Sequence, residues 1–175
     1  DNLALVSISS SQTNPLATTL NGDTGAEILR VHSTSGNTGT VTLNGGAGND
    51  LFQLYNAANT VNNIVGQVIV DGTDGNVANN TDTLTIIDTG DAGPNAVRVE
   101  AVNPAASADY LIDGITSTAG NDVIFRNIDV LDYTGTQGDD TIDGQFVPTV
   151  PMHDLSIVTL NGWLGADKFL LFTSD

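Results

Sequence analysis

One short Gly-rich motif recurs along the chain and constrains the fold more than any other feature. It consists of an apolar residue and Asn, followed by Gly-x-x-Gly, one further residue and an acid. Three clear copies are LNGDTGAEIL at residues 20–29, LNGGAGNDLF at 43–52 and LNGWLGADKF at 160–169. Looser copies begin at residues 70, 88, 115 and 133. From residue 43 onward the copies start 27 and 18 residues apart in alternation, so every second copy lies 45 residues from the last.

This spacing predicts a repeat unit of about 45 residues. A β unit of that size cannot bury a core alone, so it is expected to stack on its neighbours. We therefore expect one repeat domain over residues 1–175, with an irregular first rung at 1–42 and units at 43–87, 88–132 and 133–175. Because the first residue is Asp1 rather than Met, we expect the chain to be processed or to be an excerpt of a longer one.

The local sequence favours short β-strands. Val, Ile, Leu and Thr form runs at residues 68–70, 84–87 and 157–160, separated by Asn-Gly and Asp-Gly turn signals. The 19 Gly residues interrupt any long helical period. The sequence thus predicts an all-β fold, namely a parallel β-solenoid like a β-helix or β-roll. Tandem small β-sandwich modules are the alternative, because steps of 18 and 27 residues do not suit one uniform coil.

The last position of each motif copy is apolar and is expected to point into a shared core. These positions are Leu29, Phe52, Val97, Ile124, Ile142 and Phe169.

The charge of the chain excludes several classes of partner. Asp and Glu number 21 against four Lys and Arg, which gives a net charge of −17 at pH 7. Nucleic acids and anionic membrane surfaces require a basic patch that four residues cannot supply. No stretch approaches the ~18 apolar residues of a membrane span, so membrane insertion is not expected. Many acids lie in Gly-rich turns, which makes divalent cations the expected counterions.

The segment GGAGNDLF at residues 45–52 resembles the calcium-binding nonapeptide G-G-x-G-x-D-x-U-x of RTX proteins. The segments at 135–142 and 162–169 resemble it more loosely. In such a motif Gly allows the backbone to curl, so that carbonyl oxygens and an Asp carboxylate surround a hard cation. The resemblance implies calcium shared between stacked turns. It implies metal ligands at Glu27, Asp50, Asp74, Asp82, Asp122, Asp139, Asp140 and Asp167. The copy at residue 88 departs from the pattern, with Asn95 at the ligand position.

These features predict an extracellular or cell-surface protein that is structural or adhesive: a surface adhesin, a surface layer or a fibre subunit. Its expected partners are further copies of itself or other surface components. The alternative is a non-catalytic or catalytic module of a secreted polysaccharide-active enzyme, such as a lyase or epimerase, that binds a glycan. A groove that places Arg98, Arg126 or Lys168 beside paired carboxylates would favour this alternative.

Enzymatic activity is not expected, because the basic and aromatic residues that would hold an acidic sugar are few. The absence of Cys excludes disulfides and thiol chemistry. His32 and His153 lie far apart in sequence and show no metal-type spacing, so a zinc or iron centre is not expected either.

Overall fold

The structure is a computed structural model that describes residues 16–34, 39–73, 80–101, 110–115, 123–146 and 155–173. These residues form thirteen strands and no helix. In chain order the strands are β1 (Thr18–Asn21), β2 (Ile28–Val31), β3 (Val41–Asn44), β4 (Leu51–Leu54), β5 (Val68–Asp71), β6 (Thr83–Ile87), β7 (Ala96–Ala101), β8 (Tyr110–Asp113), β9 (Val123–Arg126), β10 (Val130–Thr134), β11 (Thr141–Phe146), β12 (Ile157–Asn161) and β13 (Lys168–Thr173).

The strands form two sheets. The large sheet has eight strands in the order β1-β3-β5-β9-β8-β7-β11-β13, and the small sheet has five in the order β12-β10-β6-β4-β2. Most consecutive strands alternate between the two sheets, so most strands pair with one that lies a full circuit away in sequence. The prediction of an all-β fold with parallel sheets is therefore confirmed for the described residues.

The strand β8 is the exception to parallel pairing. It runs antiparallel to both of its neighbours, β7 and β9. These three consecutive strands all lie in the large sheet, because the chain reverses direction twice there instead of crossing to the small sheet. The large sheet consequently gains two strands that have no counterpart in the small sheet.

The core lies between the two sheets and follows the alternation of each strand. On β3, for example, Val41 and Leu43 are fully buried while Thr42 and Asn44 are only partly buried. On the parallel neighbour β5, Val68 pairs with Val41 and Val70 with Leu43, which extends the same apolar rows. Short runs of β-branched and aliphatic residues thus form strands because each alternate side chain finds a buried partner.

Four of the six predicted core positions are confirmed: Leu29, Phe52, Val97 and Ile142 are 0–1% exposed. The prediction was wrong for Ile124, which is only partly buried, because Val123 and Phe125 take the inward positions of β9. It was also wrong for Phe169, which is 43% exposed. Phe169 aligns with the buried Ile142, but it lies on β13, the last strand of the large sheet.

Candidate functional site

At seven strands, the residue directly before the strand is a described acidic residue or Asn. Glu27, Asp50, Asp82 and Asp129 precede strands of the small sheet, whereas Asn95, Asp140 and Asp167 precede strands of the large sheet. The two groups therefore lie on opposite edges of the molecule, where the chain crosses between sheets. We name them the first-edge ladder and the second-edge ladder, respectively.

In the first-edge ladder the carboxylates of Asp50, Asp82 and Asp129 each accept a hydrogen bond from a backbone amide in the preceding turn. The amide of Glu27 donates to Oδ1 of Asp50 at 2.8 Å, and the amide of Asp50 donates to Oδ1 of Asp82 at 2.7 Å. The amide of Asp82 donates to Oδ2 of Asp129 at 2.7 Å. These pairs are separated by 23, 32 and 47 residues in sequence, so the contacts join distant turns.

The second-edge ladder repeats this arrangement. The amide of Asn95 donates to Oδ1 of Asp140 at 2.7 Å, and the amide of Asp140 donates to Oδ1 of Asp167 at 2.9 Å. The steps are 45 and 27 residues. Thr136 adds two donors to Asp140, because its amide and its hydroxyl each lie 2.7 Å from a carboxylate oxygen.

The first Gly of three motif copies, at residues 45, 135 and 162, makes room for one of these carboxylates. A Cβ atom on Gly45 would lie 2.2 Å from Oδ2 of Asp50, and a Cβ on Gly135 would lie 2.3 Å from Oδ2 of Asp140. Gly162 has the same relation to Asp167. The motif thus has a physical reason that does not involve a metal: Gly clears the space and the acid caps a backbone amide.

The predicted ligands consequently fall into three groups. Glu27, Asp50 and Asp82 are buried and lie in the first-edge ladder, while Asp140 and Asp167 lie in the second. Asp139 is exposed and accepts a hydrogen bond from the amide of Ala166 at 2.8 Å. The predicted ligands Asp74 and Asp122 lie outside the described residues.

Sequence reasoning missed Asp129 and Asp88. Asp129 caps the amide of Asp82 but belongs to no Gly-x-x-Gly motif; its only sequence signal is its place directly before the apolar strand β10. Asp88 is fully buried at the second edge, where its carboxylate accepts hydrogen bonds from the amide of Val61 at 3.2 Å and from Nδ2 of Asn95 at 2.8 Å. Asn95, which departs from the acidic pattern, thus joins the ladder as a donor on both its backbone and its side chain.

Burial changes the acid–base behaviour of several of these groups. It raises the pKa of Asp88 to about 6, against the opposing effect of hydrogen bonds from Thr60, Val61 and Asn95. Burial also raises the pKa of Glu27, and the nearby Asp50 and Asp23 carboxylates add to that effect.

The carboxylate oxygens of the first-edge ladder are suitable ligands for a hard cation, but the acids alone do not form a complete site. Oδ2 of Asp50 is buried and accepts no hydrogen bond, which leaves an oxygen available to a cation. Among the described residues, however, no three His, Asp or Glu side chains converge on one point. A calcium ion bound to Asp50 would therefore need backbone carbonyl oxygens or water for most of its six to eight ligands.

Each of the three Arg side chains contacts neighbouring groups of its own sheet. Arg98 forms an ion pair with Glu100 at 3.2 Å, and Arg126 forms one with Asp71 at 2.8 Å. Nε of Arg30 donates to Oε1 of Gln53 at 2.7 Å, and its guanidinium stacks over the ring of Tyr55. The contacts of Arg30 with Gln53 and of Arg126 with Asp71 are cross-strand pairs, whereas Arg98 and Glu100 lie on the same strand, β7.

The chain matches no protein-family model, no curated protein and no solved structure. The described residues contain no helix that is long and apolar enough to cross a membrane.

Proposed function

We propose that this protein is a structural or adhesive element of the cell exterior, built as a β-solenoid and stabilised by calcium at its acidic turns. The observation that carries the proposal is the pair of ladders, in which buried and partly buried carboxylates link turns that are 23 to 47 residues apart. In a chain organised in this way, the acids of the recurring motif hold one turn against the next. Its function then lies in an extended, rigid body rather than in a pocket.

The alternation of strands between two parallel sheets supports the solenoid. Each circuit of the chain adds one strand to the small sheet and at least one to the large sheet, in register with the previous circuit. The meander of β7, β8 and β9 is an insertion into this pattern, since β11 pairs with β7 in parallel. Such a body grows along one axis and presents a long surface for adhesion or assembly.

Two observations support calcium binding: the net charge of the chain and the burial of its acidic side chains. The net charge of −17 opposes a compact state, and the buried carboxylates of both ladders carry negative charge into the structure. Cations bound at the turns would offset this repulsion and couple binding to stability, as expected in a calcium-rich exterior. Asp50 is the first candidate ligand, because its Oδ2 atom accepts no hydrogen bond.

The alternative of a polysaccharide-active module gains no specific support from the site. Arg98 and Arg126 are each engaged by a carboxylate of the large sheet rather than placed beside a pair of acids in a groove. The same ion pairs fit the stabilisation of a sheet surface. We therefore propose no catalytic activity.

Calorimetric titration with calcium tests the proposal, with magnesium as the competing ion. The wild-type chain should bind calcium with measurable heat, and Asp50→Asn should lose part of that heat. Asp132→Asn is the matched control, because it removes the same charge from the strand β10 outside both ladders. An absence of calcium heat in the wild-type chain, with a melting temperature that a chelator leaves unchanged, would refute the calcium component.

A further inference from the structure

Three Asp-Gly dipeptides lie among the described residues, and their surroundings differ. They are Asp71-Gly72, Asp113-Gly114 and Asp143-Gly144. A fourth, at residues 74–75, lies outside the described residues. Asp-Gly is the least hindered Asp dipeptide, because Gly has no side chain to obstruct attack of its backbone nitrogen on the preceding carboxyl group. Such a dipeptide can rearrange to isoaspartate without an enzyme.

The rearrangement proceeds through a cyclic succinimide. The Gly nitrogen forms a bond to Cγ of the Asp, the protonated carboxyl group loses its hydroxyl, the nitrogen loses its proton, and the two leave as water. Water then attacks the carbonyl carbon that belonged to the main chain and breaks its bond to the nitrogen. The chain afterwards runs through Cβ and Cγ, at unchanged mass. Ring closure is fastest where the nitrogen and the carboxyl group are held together.

At Asp71 both reacting groups are engaged elsewhere. The amide of Gly72 donates a hydrogen bond of 3.2 Å to the carbonyl oxygen of Arg126. The carboxylate of Asp71 accepts one hydrogen bond from Nε of Arg126 at 2.8 Å and another from Nδ2 of Asn127 at 2.7 Å. Ring closure at this dipeptide would have to break all three contacts.

Asp143 is held by its place inside a strand. The next residue, Gly144, pairs with Val99 of β7 on one side and with Leu171 of β13 on the other. Oδ2 of Asp143 accepts a hydrogen bond of 3.2 Å from Nε2 of Gln145. Turning the Gly144 nitrogen toward the carboxyl group would disrupt the pairing of β11, so this dipeptide should be stable.

Asp113 differs from both. It is exposed at the last residue of β8, and its Oδ1 atom accepts a hydrogen bond of 2.8 Å from the amide of Gly114, which is the nitrogen that must attack. The φ angle of Gly114 is +82°, in the left-handed region that favours Gly, so the chain leaves its extended course at this point. The two reacting groups are therefore in contact in the folded protein.

We propose that Asp113 is a site of spontaneous isomerisation to isoaspartate. The contact with Gly114 supplies the proximity that ring closure needs, and exposure admits the water that opens the ring. A similar contact occurs at Asp23, whose Oδ1 atom accepts a hydrogen bond of 2.6 Å from the amide of Thr24. The β-branched side chain of Thr24 hinders attack there, so Asp23 serves as an internal comparison.

The site lies where two parts of the large sheet are joined. β8 connects the group β1-β3-β5-β9 with the group β7-β11-β13. The chain after Asp113 is closely packed, since a Cβ atom on Gly114 would lie 1.9 Å from the carbonyl oxygen of Ala96 and Ile115 is 2% exposed. Isoaspartate adds a carbon atom to the main chain at this point. Gly114 and Ile115 cannot then both keep their positions, and the pairing of β8 should weaken.

Prolonged warm incubation of the folded chain in chelator, followed by proteolysis and mass spectrometry, tests the proposal. An isoaspartyl peptide has unchanged mass and altered chromatographic retention, and a methyltransferase specific for isoaspartate counts it independently. We expect isoaspartate at residue 113 to accumulate at least about tenfold faster than at Asp71, Asp143 or Asp23. Amides of β8 should exchange hydrogen faster in the aged protein, whereas amides of β3 should keep their rates.

Two pairs of variants separate the geometry at Asp113 from the chemistry of the dipeptide. Asp113→Glu should abolish the signal at this position, because its longer side chain would have to close a larger ring. Asp74→Glu is the matched control at another Asp-Gly dipeptide and should leave that signal unchanged. Asp113→Asn should accelerate the reaction with ammonia as the leaving group, whereas Asp143→Asn, inside β11, should stay slow. Circular dichroism confirms that each variant remains folded.

Three results would overturn the proposal. The first is isoaspartate that forms at Asp71 or Asp143 as fast as at Asp113. The second is a total signal that Asp74→Glu removes and Asp113→Glu retains. The third is a modified chain whose β8 amides exchange no faster than before, which would refute the effect on the sheet. Because a chelator is present throughout, none of these results depends on calcium binding.

Discussion

The backbone amide of Glu27 donates a hydrogen bond of 2.8 Å to the carboxylate of Asp50, which lies 23 residues later in the chain. The amide of Asp50 in turn donates to the carboxylate of Asp82. Asp50 thus accepts a hydrogen bond from one turn through its side chain and donates one to the next turn through its backbone. This relation explains why the acid of the motif stands directly before a strand. At that position its carboxylate accepts a hydrogen bond from a backbone amide that lies outside the strands.

Removal of a ladder carboxylate should destabilise the fold far more than removal of its exposed neighbour. Asp140 is buried and accepts three hydrogen bonds, from the amide of Asn95 and from the amide and hydroxyl of Thr136. Asp140→Ala should lower the free energy of unfolding by about 3 kcal/mol or more, because buried donors lose their acceptor. Asp139→Ala, at an exposed position, should cost less than about 1 kcal/mol. Urea unfolding of the two variants at neutral pH measures the difference, and equal losses would contradict the ladder.

The Gly at the start of each motif should tolerate no side chain while the acid is present. Gly45→Ala places a Cβ atom where Oδ2 of Asp50 now lies, at 2.2 Å, and should therefore be destabilising. In an Asp50→Ala background the same substitution should cost much less, so the two effects should not add. Gly93→Ala is a control, because its Cβ would meet only Oδ1 of Asp91 at 3.7 Å. Strict additivity in the Gly45 and Asp50 double-mutant cycle would argue against the contact.

The stability of the protein should increase as the pH falls from about 7 to about 4. Burial raises the pKa of Asp88 to about 6, above the model-peptide value near 3.9, so the folded state binds a proton more readily than the unfolded state in this window. The raised pKa of Glu27 acts in the same direction. At pH 7 the charged form of Asp88 therefore lowers the stability of the folded state, and protonation recovers that loss.

Unfolding in urea at several pH values measures this effect. Asp88→Asn should remove much of the rise in stability between pH 7 and pH 4, since the amide stays neutral throughout. A wild-type chain whose stability falls steadily over the same range would contradict this assignment.

The backbone at Trp163 should be strained. Its φ is +72°, in the left-handed region that bulky residues rarely adopt, and the corresponding residue of the second clear copy is Gly46, with φ +100°. Because the indole is 53% exposed, Trp163→Gly loses little packing and should stabilise the monomer by about 1 kcal/mol. Leu164→Gly, at the next residue of the turn, should instead be neutral or destabilising. Thermal unfolding at low protein concentration compares the two variants.

The sequence predicted the strands and most of the ladder because both follow from local chemistry. Asp50 follows the Gly-x-x-Gly of a clear motif copy, Asp140 follows that of a looser copy, and Asp82 lies before an apolar run after an insertion. Asp129 has no such motif, and its role depends on the stacking of β10 against β6, which is 47 residues away in register. Ile124 shows the same limit, since the inward face of β9 depends on its pairing with β5 and the antiparallel β8.

Hydrogen exchange at individual backbone amides tests the ladders most directly. The amides of Glu27 and Asp140 lie outside the strands, and their acceptors are the carboxylates of Asp50 and Asp167. We predict that both amides exchange as slowly as amides within the neighbouring strands. Asp50→Asn or Asp50→Ala should speed exchange at the Glu27 amide more than exchange at the Asp140 amide. The amide of Ala166, whose acceptor Asp139 is exposed, should exchange faster. Exchange of the Glu27 and Asp140 amides at the rate of an unstructured peptide would contradict the account.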